Sequence, residues 1–160
     1  MNNLSCYAET LDKKSAAVFG LGLSGLSTVK ALVEANFTVI AFDDKQENCD
    51  KAKDLGAIIE NLSESDLNDF DFLALAPGVP YTFEPHEVVL NAQKHNAEII
   101  GDLELLHRTG HGVKTIGITG TNGKSTTTAL LTHVLNECGV KAVMGGNIGK
   151  PVLELSLIHI

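Results

Sequence analysis

The chain has 160 residues, 44% of them hydrophobic and 20% charged, which is the composition of a folded globular protein rather than a disordered one. A net charge of −8 at pH 7 argues against the broad basic face that nucleic acid or an anionic membrane would need, and leaves room for a local site that holds a small phosphorylated ligand. Three distant cysteines (Cys6, Cys49, Cys138) form no CxxC pair, no leader opens the chain, and no apolar run approaches the roughly 20 residues of a bilayer span. A reduced cytoplasmic protein with packing thiols is the expectation.

The first predicted element is a buried strand, AAVF at 16–19. A glycine-rich turn follows, then a helix with Leu26, Val29, Leu32 and Val33 on one face. TVIAF at 38–42 is a second strand, ended by Asp43 and Asp44, and 45–55 reads as a polar helix. Short strands are expected at 57–59 and 98–100, and a fourth at 71–76 that stops at PGVP. Residues 85–94 read as a helix with proline near its start, and 102–107 as a short helix. After the turn-rich RTGHG at 108–112 the pattern restarts, with a strand at 113–119, a glycine loop, a helix at 124–138 and a strand at 141–144. The inner face of that helix would be Leu130, Leu131, Val134, Leu135 and Cys138. Alternating strands and helices imply parallel α/β architecture. The restart implies two units: a Rossmann-like parallel-sheet domain at 1–107, and at 108–160 the truncated start of a P-loop α/β ATPase-type domain. The apolar tail, 155–160, reads as foreign to the domain.

Two glycine loops carry the chemistry. In GLGLSG, Gly20, Gly22 and Gly25 have GxGxxG spacing between a strand and a helix. There the helix N-terminus offers N–H groups to a pyrophosphate, and Ser24 adds a hydroxyl. Asp43, ending the next strand, stands where such folds set an acid against a ribose, or is a solvated strand end. The ligand could be a dinucleotide or a nucleotide-sugar, since both carry ribose and pyrophosphate. Gly78, at the carboxyl end of the fourth strand, offers a close backbone contact or an ordinary turn. In the second loop, GTNGKS, the backbone of Gly120, Thr121, Asn122 and Gly123 surrounds phosphate. Lys124 brings charge to the β/γ end, the Ser125 hydroxyl is placed for Mg²⁺, and Thr126 adds a donor. Together the loops suggest an enzyme that consumes ATP on a nucleotide-linked substrate. A nicotinamide-dependent oxidoreductase and a non-catalytic nucleotide-binding fragment are the alternatives.

The ordered segments GLGLSGLS, APGVP, GDLELL, GITGTNGKST and GGNIGKP resemble the Mur ligases of bacterial cell-wall synthesis, most of all their D-glutamate-adding branch. The resemblance implies that the first domain holds UDP-N-acetylmuramoyl-L-alanine rather than NAD. Leu23, Ser24 and Gly25 would face the diphosphate, Asp43 and Asp44 the uridine, and Gly78 and Asn147 the path to the reacting end. Residues 120–126 would hold ATP and Mg²⁺, with Lys124 catalytic through its charge. D-glutamate would be added through an acyl phosphate, by a monomer. It also implies that the family's later metal ligands, modified lysine and D-glutamate-binding domain lie outside these residues, so the chain alone is expected not to complete the reaction.

Overall fold

The computed structural model describes residues 3–109, 114–146 and 149–157. Five strands form one parallel sheet: β1 (Ser15–Phe19), β2 (Thr38–Phe42), β3 (Ile58–Ile59), β4 (Phe72–Leu75) and β5 (Ile99–Ile100), in the order β3-β2-β1-β4-β5. Every residue of β1 is buried, as a central parallel strand covered on both faces requires.

The period-2 alternation of the strands sorts their side chains into two cores. Ala16 and Val18 of β1, with Phe72 and Ala74 of β4, face helices α1 (Asn3–Ala8), α2 (Leu23–Glu34), α3 (Gln46–Asp54) and α5 (Asp102–Arg108), whose Leu4, Leu32, Cys49 and Leu105 complete that side. Ala17, Phe19 and Leu73 face the other way, onto α4 (Glu87–Lys94) and a 3₁₀ turn at Leu67–Asp69, through Val88, Val89, Ala92 and Leu67. Cys49 is thus a packing thiol, whereas Cys6 and Cys138 are exposed, contrary to expectation.

Phe19 of β1 pairs with Phe42 of β2 and Leu75 of β4, so these strands end level at one edge of the sheet. The chain runs outward from β1 through β2 to β3, then returns to β4 on the other side of β1. The crevice between the ends of β1 and β4 is therefore a topological switch point, where open α/β sheets bind their ligands.

Four elements differ from expectation. Helix α1 carries no strong sequence signal, and forms because Leu4 and Ala8 bury against the sheet-side core. Beyond residue 113 the sequence promises strands at 113–119 and 141–144, but among the described residues neither forms; only an isolated parallel bridge joins Gly145 to Lys150. Helix α6 (Lys124–Glu137) does form, yet buries no residue, and Leu130 and Val134 of its expected inner face are exposed. A strand exists only through pairing, and the described residues of these segments pair with none of the five strands of the sheet. Of the expected boundary residues 108–112, 110–112 lie outside the described residues. The last helix, α7 (Val152–Leu157), packs on α2 and α5 through buried Val152 and Leu153.

Arg108, the last residue of α5, ties three elements together. Its guanidinium makes a bidentate pair with Glu98 (2.9 and 2.6 Å), donates to Glu104 at 2.9 Å, and bonds Tyr7 of α1. The hydrogen bond from Arg108 holds the Glu98 carboxyl below its ordinary 4.5. A depressed carboxylate stabilises the fold above its unfolded pKa and loses that contribution as pH falls through the folded value. Replacing Glu98 by glutamine is therefore expected to cost at most about 1 kcal/mol at pH 7, the pair being half-exposed, and to cost progressively less as pH falls below the ordinary carboxylate range. Urea melts of both proteins across that acid range check this.

Candidate functional site

The glycine loop leaves β1 into a turn that glycine alone fits. Gly20 has φ +85°, and a Cβ there would lie 2.8 Å from the Ala76 Cβ, so the loops after β1 and β4 touch. Gly20 N–H donates to Phe42 C=O at 3.1 Å and Ala76 N–H to Phe19 C=O at 3.0 Å, which locks both loops to the strand ends. Gly22 then starts α2 with extended backbone and no side-chain cap. The first turn carries no acidic residue, and Leu26 N–H is the first to find an intrahelical acceptor, Gly22 C=O at 2.9 Å. The N–H groups of Leu23, Ser24 and Gly25 thus lack intrahelical partners at the positive end of a 12-residue helix.

A cleft of about 490 Å³ opens at this point. Its walls are the glycine loop with Leu23, Ser24 and Gly25; the end of β2 with Asp43, Lys45 and Asn48; the 76–79 turn with Gly78; and Gly146, Gly149 and Pro151 from the later segment. Seven of the residues singled out in the sequence (Gly20, Gly22, Leu23, Ser24, Gly25, Asp43, Gly78) share this one cleft. Asp44 does not border it and turns instead to His86, whose Nε2 is 3.5 Å away. Asn147 lies outside the described residues, between cleft-lining Gly146 and Gly149.

Lys45 and Asn48 are residues that sequence reasoning passed over. Lys45 adjoins two aspartates and reads as a solvated charge, but the turn at the end of β2 brings it to the cleft wall in place of Asp44. Asp43 is already engaged: its Oδ2 accepts from Leu21 N–H at 2.5 Å, and its Oδ1 from Lys45 N–H at 2.9 Å and Asn48 Nδ2 at 3.1 Å. It braces the glycine loop against the start of α3.

The second loop stands apart; none of residues 120–126 borders the cleft. Gly123, in the left-handed region at φ +76°, starts α6, again with no side-chain cap and no acidic residue in the first turn. The Lys124 ammonium donates to the carbonyls of Gly120 and Thr121. Gly120, Thr121, Asn122, Ser125 and Thr126 are exposed. Among the described residues no group of three His, Cys, Asp or Glu side chains could hold a metal ion. No described helix is long and apolar enough to cross a membrane.

Residues 14–101 match the family model of the Mur ligase MurD-like N-terminal domain. The chain belongs to this MurD-like Mur ligase family. Within the family it is 45% identical over 154 residues to the UDP-N-acetylmuramoylalanine--D-glutamate ligase of Bartonella henselae, covering 89% of this chain and 33% of that protein. The protein of the same name from Sphingopyxis alaskensis is 46% identical over 140 residues, covering 86% of this chain and 32% of the relative. The chain therefore spans about a third of the length of the curated relatives it matches. Among solved structures, the shikimate dehydrogenase of Aquifex aeolicus is 15% identical with a TM-score of 0.47 over 99% of this chain and 61% of its own, a likeness too distant to bear on the ligand.

Proposed function

We propose that this chain supplies the UDP-substrate site and the ATP loop of a cytoplasmic ligase of peptidoglycan synthesis, one that joins D-glutamate to UDP-N-acetylmuramoyl-L-alanine. The observation that carries the reading is the switch-point cleft, with the uncapped start of α2 beside an acid already braced by the protein. Membership of the MurD-like family supports it. In this reading 1–107 is a substrate domain and 108–160 the beginning of a central ATP-binding domain, and the protein acts as a monomer.

The N–H groups of Leu23, Ser24 and Gly25 hold the diphosphate, with Lys45 adding the positive charge that an acidic protein otherwise lacks there. Asp43 accepts from the uridine, Asp44 stands behind it, and Gly78 and Asn147 line the way to the alanine carboxylate. The second loop suits a nucleoside triphosphate because its helix start is uncapped and carries a cation rather than an acid. Residues 120–126 would surround its phosphates, with Lys124 offsetting charge on the transferring group and the Ser125 hydroxyl directed to Mg²⁺. Bound Mg²⁺ would supply further positive charge to the phosphoryl oxygens. Catalysis would come from positioning and charge, with no covalent nucleophile from the protein.

Calorimetry with UDP-N-acetylmuramoyl-L-alanine and with NADH tests the substrate side. The sugar nucleotide is expected to bind and NADH to fail; tight NADH binding with no response to the sugar nucleotide would make the cleft that of an oxidoreductase.

A further inference from the structure

The Asp43 carboxylate is more heavily committed to protein than a ligand-facing strand-end acid needs to be. A carboxylate offers about four lone-pair positions. Oδ1 takes two donors, Lys45 N–H and Asn48 Nδ2, and Oδ2 takes one, Leu21 N–H. Two of these donors are main chain, fixed by the turn at the end of β2 and by the glycine loop. Asn48, on the first turn of α3, is the side chain of the three, and it lines the same cleft. We infer that Asn48 is a positioning residue for the nucleotide side of the cleft: by filling Oδ1 it fixes the carboxylate's rotation and leaves a single acceptor, on Oδ2, for ligand. Such an acid suits one ligand N–H or O–H and is poorly suited to a pair of ribose hydroxyls that would need both oxygens. The inference rests on the cleft being a nucleotide site.

The neighbouring charged and titratable groups are few. Asp44 points away to His86, the residue that caps the start of α4, Lys45 borders the cleft, and Cys49 Sγ–H donates to the Asp43 carbonyl at 3.3 Å. The glycine loop meets Asp43 through the Leu21 main-chain N–H.

The test compares UDP-N-acetylmuramoyl-L-alanine binding at pH 5 and pH 8 for the 160-residue wild type, Asn48→Ala and Asn48→Asp. The ligand's own phosphodiesters and carboxylate keep their charge across that range. Wild type is expected to vary by less than about twofold, and Asn48→Ala to bind roughly tenfold more weakly at both pH values, having lost a hydrogen bond to a charged group. Asn48→Asp sets two carboxylates about 3 Å apart, which share a proton at low pH and repel at high pH. Its binding is therefore expected to approach wild type at pH 5 and to fall roughly tenfold or more at pH 8. Wild-type affinity in both variants overturns the inference, and so does equal loss in both at both pH values, the mark of a packing role. A wild type that binds NADH and not the sugar nucleotide overturns the functional reading itself, and the inference with it.

Discussion

Replacing Gly25 by alanine is expected to lower the melting temperature by roughly 6–12 °C and to abolish UDP-substrate binding. An added Cβ would lie 1.9 Å from the Gly20 carbonyl oxygen and 2.9 Å from its carbon, and both are backbone atoms. Gly20 has nowhere to retreat, because it is pinned to Phe42 C=O and packed against Ala76. Relief requires α2 to move off the sheet, opening the core around Val29 and Leu32. Overpacking costs about 1–3 kcal/mol, and a clash with rigid backbone belongs at the upper end. At roughly 2–4 °C per kcal/mol for a chain of this size, about 3 kcal/mol gives the stated shift. Gly22→Ala is the control. Nothing lies within 4 Å of a Cβ there and φ is −71°, so stability should change by less than about 0.5 kcal/mol. The methyl would instead intrude on the cleft and weaken binding. Equal melting temperatures for Gly25→Ala and wild type, read by scanning calorimetry, would mean that the loop relaxes freely and the close approach is not structural.

The contrast between these glycines shows what a sequence can disclose. GxGxxG spacing after an apolar strand announces both a turn and a helix start, because the constraint is local: Gly20 needs a positive φ and Gly25 must let backbone meet backbone. The parallel sheet was equally legible, since β1 and β4 are apolar on both faces. The apolar run at 113–119 looks much the same, yet no strand forms in its described residues. A run records a capacity to pair, and pairing depends on chain far away. Helix α6, whose hydrogen bonds close within four residues, forms even though its apolar face is uncovered. The site shows the same division. That an acid ends β2 is visible in the sequence; that its oxygens take the Leu21 N–H, 22 positions back, is not. Nor can adjacent Asp44 and Lys45 reveal which one lines the cleft, because that depends on the path of the turn after β2, where Asp44 meets His86 from a distant part of the chain.

Lys124→Ala is expected to weaken MgATP binding by about 100-fold or more while leaving UDP-substrate affinity within about twofold of wild type. The first effect follows from charge. Lys124 is the cation of the second loop, and its ammonium already rests on the Gly120 and Thr121 carbonyls, at the mouth of an uncapped helix start. Charge-assisted bonds to phosphate are about twice as strong as neutral ones, and a 100-fold loss corresponds to about 2.7 kcal/mol. The second effect follows from separation. None of residues 120–126 borders the cleft, and α6 buries nothing whose loss could disturb the sheet. The melting temperature should for the same reason stay unchanged. Calorimetric titrations of wild type and variant with each ligand give the comparison. Parallel loss of both affinities would contradict two independent sites, and an unaltered MgATP affinity would remove Lys124 from the phosphate loop. Selective loss is what the proposed ligase, with ATP and the UDP-linked substrate on separate glycine loops, requires.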